Sequence, residues 1–166
     1  MKWTLSPLRR SAQLLTLALL LGSCQQDAKT LCTTYFEPYP DMISDRNVNQ
    51  ANSRYVDAMN AYKAGDHAVA ISGLESYLTI PTRDVAPRLY LACSYLAIGE
   101  PYKAELQLDM IENSPVKDFS DQVDWYNAMC LLCSGQLERA KEQAEWIAAK
   151  PHHTYRGNAR SLAADL

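Results

Sequence analysis

Apolar and polar positions divide the chain into an apolar leader, a mixed segment and a long helical region. The apolar run of the leader covers residues 12–21, and polar residues follow directly after Cys24. From about residue 51 onward, apolar residues recur at the three- and four-residue spacing of amphipathic helices. Gly and Pro interrupt these stretches at regular distances. The pattern therefore predicts an all-α fold of short helices joined by tight turns.

The helical region contains three copies of one pattern. Five landmarks recur after 34 residues: Ala58 and Ala92, Gly65 and Gly99, Ala70 and Ala104, Leu74 and Leu108, and Pro81 and Pro115. In the third copy the landmarks lie 36 residues further on: Ala128, Gly135, Ala140, Ala144, Ile147 and Pro151. Self-similarity at a fixed period is the signature of a repeat protein.

Each landmark type has a physical role in a helical hairpin. The glycines separate two apolar helical stretches, where a left-handed residue closes the first helix. The prolines end the second helix, because proline cannot continue one. The recurring alanines are small where the two helices of a hairpin must approach closely. The sequence thus predicts three helix–turn–helix units.

This period and punctuation resemble the tetratricopeptide repeat. The resemblance implies a helical solenoid with repeats at about residues 51–83, 85–117 and 120–151, and a capping helix over residues 153–164. The chain departs from the family pattern at a position that is usually bulky, where it has Arg54, Arg88 and Asp124. We expect this departure to shift some packing but not the architecture.

The resemblance also places a partner-binding groove on the first helices of the repeats. Its side chains would be Tyr55, Met59, Tyr62, Leu89, Cys93, Leu96, Trp125, Met129 and Leu132. Each triple has spacing four then three, which places it on one helical face. All nine are apolar or aromatic, so we expect a cover over them. That cover is either a partner or the chain's own aromatic and Pro-rich segment, residues 35–40.

The leader has the organisation of a secretory signal. Lys2, Arg9 and Arg10 precede an apolar core of ten residues, which is shorter than the roughly 20 that a transmembrane helix needs. The sequence "LGSC", ending at Cys24, resembles the lipobox of bacterial lipoproteins. The resemblance implies a signal peptide over residues 1–23, lipid attachment (palmitate among the acyl groups) at Cys24, and a tether over residues 24–50. The arrangement as a whole resembles the short tetratricopeptide lipoproteins of Gram-negative envelopes. This resemblance implies a periplasmic or surface-exposed protein, with the outer membrane favoured over the inner.

Charge and motif content argue against nucleic acid and against catalysis. The whole chain has a formal charge of −3, and removal of the three basic residues of the leader changes it to −6. The sequence has no basic stripe that would bind a phosphate backbone. It also has no Ser/His/Asp order, phosphate loop or metalloprotease motif. The sequence therefore predicts neither an enzyme nor a cofactor.

The remaining cysteines and histidines leave two interpretations open. Cys130 and Cys133 form a CxxC pair that suggests a metal or redox site. They are also compatible with buried structural thiols, which we favour because the pair stands late in its helix and lacks a fourth ligand. The cysteines are too few for a disulfide scaffold. The pair His152 and His153 precedes the predicted cap without a carboxylate cluster nearby in sequence, so surface positions are expected.

The sequence as a whole predicts a membrane-anchored scaffold or adaptor that binds a protein or peptide partner in the cell envelope. One alternative is a metal- or redox-active protein that uses Cys130 and Cys133. The other is a lipoprotein that captures a small ligand such as a glycan.

Overall fold

The computed structural model describes residues 28–50 and 52–166, and within them the protein is helical without strands. Residues 28–35 are helical and are called α1. Seven further helices follow: α2 Ser53–Lys63, α3 His67–Leu78, α4 Ala86–Ala97, α5 Pro101–Glu112, α6 Ser120–Cys133, α7 Leu137–Ala149 and α8 Arg156–Asp165. The proposed signal peptide and Cys24 lie outside the described residues. The all-α prediction is confirmed.

Adjacent helices pack in pairs. The helices α2 and α3, α4 and α5, and α6 and α7 form three hairpins, and each hairpin packs on the next. Every hairpin turn contains a glycine in the left-handed region, with φ of 78° at Gly65, 78° at Gly99 and 79° at Gly135. A side chain is strained in this conformation, which explains why glycine recurs there. The predicted role of the three glycines is confirmed.

Local signals also set where the second helices begin and end. Asp66 caps α3 by accepting a hydrogen bond from the Val69 amide at 3.3 Å. Pro101 stands in the first turn of α5, where its missing amide proton costs nothing. The second helices end at Leu78, Glu112 and Ala149, two or three residues before the recurring prolines. The prolines that recur in the sequence therefore mark the ends of the second helices, as predicted.

Small residues allow the paired helices to approach closely. In the first hairpin, a Cβ built on Gly73 would lie only 2.7 Å from the Cβ of Ala58. Ala104 and Ala140 occupy the corresponding inner faces of the next two hairpins and are fully buried. Close packing of this kind tolerates no added volume, because the backbones themselves are in contact.

One continuous core runs through all three hairpins and is closed at the C-terminal end by α8. This last helix packs on α7 and buries Ala159 and Leu162. It begins at Arg156, three residues later than the capping helix that the sequence predicts. Among the described residues, no helix has the length and apolarity that crossing a membrane requires.

Candidate functional site

The nine residues predicted to line a groove are all buried within the chain. None of these side chains has more than 5% of its surface exposed. Some are covered by the neighbouring hairpin or by α8. Trp125, for example, stacks on Tyr155 with ring centroids 5.4 Å apart and an angle of 3° between the planes. In this conformation the nine residues are not available to an external partner.

The rest of the cover is the chain's own N-terminal segment, residues 36–43, which we call the strap. The strap leaves α1 next to the third hairpin and crosses the first helices toward the first hairpin. The ring of Phe36 packs edge-on against Tyr126 at 6.4 Å. Tyr39 packs against Tyr90 at 5.9 Å, and Ile43 is buried in the core. The prediction that the aromatic and Pro-rich segment lies back on the helices is confirmed.

Tyrosine hydroxyls from all three first helices hold the backbone of the strap. Tyr126 donates to the carbonyl of Glu37 at 2.9 Å, and Tyr62 donates to that of Tyr39 at 2.7 Å. The hydroxyl of Tyr90 donates to the carbonyl of Pro40 at 3.3 Å. An extended segment leaves its carbonyls unpaired, so these bonds offset the cost of burying them. The helix face thus binds the strap as it would bind an extended peptide.

The positions of these tyrosines differ in part from the predicted groove. Tyr62 is one of the nine predicted residues, but Tyr90 and Tyr126 each stand one residue after the predicted Leu89 and Trp125. The sequence carried a signal for them, since both tyrosines occupy the same place in two repeats that are 36 residues apart. The family resemblance directed attention to the preceding position instead.

Cys93 lies at the centre of this face and is fully buried. Burial raises the pKa of its thiol to about 11, although hydrogen bonds with Tyr39, Tyr126 and Tyr62 oppose the shift. Burial also raises the pKa of the Tyr62 and Tyr126 hydroxyls. All three groups therefore remain protonated near neutral pH, and the hydroxyls serve as hydrogen-bond donors.

In the turn before α6, a residue with strained backbone packs against the strap. Phe119 has a φ of 66°, a conformation that costs a non-glycine residue about 1–2 kcal/mol. Its ring packs edge-on against Tyr39 at 5.9 Å. This contact with the strap helps to hold Phe119 in its conformation, because strained backbone persists only where the surroundings fix it.

A disulfide joins α1, which directly precedes the strap, to the third hairpin, and this corrects the interpretation of the CxxC pair. Cys133 is bonded to Cys32 of α1, with Cα atoms 5.0 Å apart and 101 residues between them in sequence. Cys133 is therefore not a structural free thiol, and it does not act together with Cys130. Cys130 is free and buried, and burial raises the pKa of its thiol. The metal and redox interpretations of this pair lose their support.

His153 also lies elsewhere than the sequence predicts. It is buried between α6 and the turn before α8, with its Nε2 atom 3.3 Å from Asp124 and 3.6 Å from Asp121. The donor atoms of these three residues lie within 4.8 Å of one another, which is close enough for a metal ion. This cluster was not predicted, because the two carboxylates stand about thirty residues earlier in the sequence.

The Nε2 atom of His153 makes no hydrogen bond, but the other contacts of this cluster fit a structural role better than a metal site. The Nδ1 atom of His153 accepts a hydrogen bond from the Tyr155 amide at 3.1 Å. In a neutral imidazole the proton then resides on Nε2, the atom that would have to bind the metal. In addition, the ammonium of Lys150 lies 2.7 Å from Asp124. The arrangement joins α6 to the turn between α7 and α8.

A cavity of about 650 Å³ adjoins the disulfide. Its wall is mainly apolar and includes Phe36, Leu96 and the disulfide itself. The polar side chains of the wall are Lys29, Thr33, Ser134 and His67. The Nδ1 atom of His67 is buried without a hydrogen-bond partner, and burial lowers the pKa of its imidazole.

Comparison with known proteins gives no family for this chain, since no protein-family model, no curated protein and no solved structure matches it. The function is therefore argued from the residues themselves.

Proposed function

We propose that this protein is a membrane-anchored, tetratricopeptide-like helical solenoid that acts as a scaffold or adaptor for a protein or peptide partner in the cell envelope. The observation that carries the proposal is the helix face that holds the strap. Three hydroxyls, one from the first helix of each hairpin, bond to the backbone of an extended segment. A stack of hairpins that recognises extended backbone is suited to binding other chains.

The repeat pattern supports the solenoid part of the proposal. Three hairpins of about the same length follow one another, and each turns at a left-handed glycine in the same register. The terminal helix α8 covers the last apolar face, as the end of a repeat stack requires. These features belong to a scaffold, and the proposal includes no catalytic activity and no cofactor.

The leader and the disulfide support the envelope part. The sequence "LGSC" follows a charged and apolar leader, which suits lipid attachment at Cys24. The Cys32–Cys133 disulfide suits an oxidising compartment outside the cytoplasm. Two or more acyl chains give stable membrane attachment, whereas one gives only marginal binding.

A fractionation experiment tests the anchor. Cells producing the parent or the Cys24→Ser variant are labelled with a fatty-acid analogue and separated into soluble and membrane fractions. The parent should carry the label and sediment with membranes, and the variant should carry none. Label on the variant, or an unlabelled parent in the soluble fraction, would refute the lipoprotein assignment.

Crosslinking in intact cells tests the adaptor role. A photo-reactive residue placed on the outer helix faces of the anchored protein should join it to one recurrent protein partner. The same residue in the unanchored Cys24→Ser variant is the control. Recovery of no specific partner at any surface position would refute the adaptor assignment.

A further inference from the structure

The outer face of α5 carries a stripe of exposed apolar side chains. Tyr102, Leu106 and Met110 are spaced by four residues and therefore lie on one side of the helix. Their exposed fractions are 66%, 52% and 42%. The buried side of the same helix is already apolar through Ala104 and Leu108. An apolar stripe on the second, outer side contributes no buried residue to the core of this chain, and the contact that the structure shows for it is between Met110 and Arg88 of α4.

Acidic side chains run along one edge of this stripe. Glu105, Asp109 and Glu112 follow the side of α5 that faces the third hairpin, and with Asp124 they line a groove of about 300 Å³. The opposite edge of the groove is formed by α7 and includes Trp146, which is 49% exposed. Apolar and negatively charged surface thus lie side by side.

The negative charge of this groove is only partly neutralised within the chain. Among the described residues, the carboxylates of Glu105, Asp109 and Glu112 form no salt bridge, and the carboxylate of Glu112 accepts a neutral hydrogen bond from Asn127 at 2.8 Å. Burial, together with the neighbouring Asp109 and Asp124, raises the pKa of the Glu112 carboxyl. Several cations also lie close by. Lys117 donates to the backbone carbonyl of Glu112 at 2.7 Å, and Arg88 donates to the sulfur of Met110 at 2.9 Å. Lys150 is paired with Asp124, and Arg139 donates to Gln136.

We propose that this surface, called the α5 face and made of the stripe Tyr102, Leu106 and Met110 with the edge Glu105, Asp109 and Glu112, docks a cationic amphipathic helix of a partner protein. The apolar side of such a helix would cover the stripe, and its Lys or Arg side chains would meet the carboxylates. This inference rests on the proposed adaptor function. It gives that function a surface other than the one that the strap fills.

The charge pattern argues for this occupant over two others. A membrane surface rich in anionic lipid would repel the acidic edge. A second copy of the chain that contacts this face through a two-fold axis would bring like charges together, because such an interface is self-complementary. A cationic amphipathic helix would cover the apolar stripe and pair with the carboxylates at the same time.

In-cell crosslinking at two matched positions tests the inference. A photo-reactive residue replaces either Leu106 on the α5 face or Val69 on the outer side of α3, which has a similar exposed fraction of 54%. The partner should crosslink at position 106 and not at 69, through a segment rich in Lys or Arg and apolar residues, identified by mass spectrometry. Crosslinks to a lipid, to a second copy, or to an acidic segment would overturn the proposal.

The two positions also separate this inference from the proposed function. If a partner crosslinks at position 69 but not at 106, the adaptor assignment stands and the α5 face is wrong. If no surface position yields a partner, the adaptor assignment itself fails.

The binding of a defined peptide measures how much the apolar stripe and the acidic edge of the α5 face each contribute to affinity. The probe is a helical peptide of Leu and Lys, with a Leu and Glu peptide as its counterpart. The purified protein should bind the first more tightly, and added salt should weaken this binding. The variant Tyr102→Ala with Leu106→Ala, and the variant Glu105→Gln with Asp109→Asn, should each weaken it on the order of tenfold.

Two control variants complete this measurement. Val69→Ala and Asp57→Asn remove an exposed apolar and an acidic side chain from the first hairpin, and binding of the probe should not change. All four variants change residues outside the buried core, so circular dichroism should show the parent's fold in each of them. Equal weakening by the controls, or unchanged binding in both α5-face variants, would overturn the proposal.

Discussion

The three hairpins and the strap are built on different principles. Each hairpin closes on itself within about 30 residues, through a glycine turn and contacts between helices that are adjacent in sequence. The strap region makes its contacts at long range. The hydroxyl of Tyr126 meets the Glu37 carbonyl across 89 residues, and that of Tyr35 meets Asp165 across 130.

The hairpins are therefore determined by residues that are close in sequence, whereas the strap depends on contacts that exist only in the completed fold. Hairpins with local contacts form early, because the entropic cost of closing short loops is small. The strap can find its tyrosine donors only after the three first helices stand side by side. We therefore expect the strap to be the less stable of the two regions, since it is held by a few hydrogen bonds, a few packed side chains and the disulfide of the preceding helix α1.

The largest effect is expected from breaking the covalent link between the two regions. Cys32→Ser removes the disulfide to Cys133 and should lower the free energy of unfolding by about 2–4 kcal/mol, because the bond closes a loop of some hundred residues in the unfolded chain. Urea denaturation of the non-reduced protein measures this. Cys130→Ala is the matched control, since that buried thiol is free, and it should cost about 1 kcal/mol.

The disulfide variant also tests which region opens. Hydrogen exchange in Cys32→Ser should accelerate first at the amides of α1 and the strap, while the amides inside the hairpins keep their protection. Uniform acceleration throughout the chain would show that strap and hairpins unfold as one unit, and would contradict the distinction drawn above.

The second prediction concerns the hairpins themselves. Gly99→Val places a β-branched residue at a φ of 78°, which should destabilise the protein by about 1–2 kcal/mol. Thermal melts measure the loss. Gly157→Ala is the control of opposite sign, because Gly157 lies inside α8 with no atom within 4 Å of an added Cβ, and alanine favours the helix. Equal melting temperatures for Gly99→Val and the parent would contradict the assigned role of this turn.

The sequence predicts the hairpins because their signals lie within each repeat. The glycine turns, the proline ends and the small residues at the contact of two helices each act over a few residues, and each recurs. The position of the strap on the first helices was also predictable, since an aromatic segment precedes an apolar helix face that needs a cover.

The rest of the site could not be predicted because its partners are far apart in sequence. Four cysteines in the described region allow several pairings, and spacing drew attention to Cys130 and Cys133 instead of Cys32 and Cys133. His153 looked exposed because its carboxylate neighbours belong to another helix. The choice between Leu89 and Tyr90 as the residue facing the strap depends on the rotation of α4, which periodicity fixes only to within one residue.

The third prediction concerns the hydrogen bonds of the strap. Tyr126→Phe leaves the Glu37 carbonyl without its donor and should cost about 0.5–1.5 kcal/mol. It should also speed hydrogen exchange in residues 36–43 more than in the hairpins. Tyr102→Phe, at an exposed position on α5, is the control and should change neither stability nor exchange. Faster exchange confined to α6 in the Tyr126→Phe variant would contradict this role.

The smallest effect is expected at the contact between α6 and the turn before α8, and it depends on pH. Both the amide and the hydroxyl of Thr154 donate to one oxygen of Asp121, at 2.7 Å and 2.8 Å, and these bonds hold the pKa of the carboxyl below its usual value of 3.8. A carboxyl with a lowered pKa in the folded state stabilises the protein above its unfolded pKa, and this contribution is lost as pH falls through the folded pKa. Asp121→Asn should therefore be less stable than the parent at pH 7, and the difference in stability should narrow as pH falls below about 4.

Denaturation curves at several pH values for the parent, Asp121→Asn and the exposed control Asp57→Asn measure this difference. If the difference in stability between Asp121→Asn and the parent stays constant down to acid pH, Asp121 contributes through packing alone. The contact would then depend on packed side chains, as the hairpins do, and not on polar bonds, as the strap does.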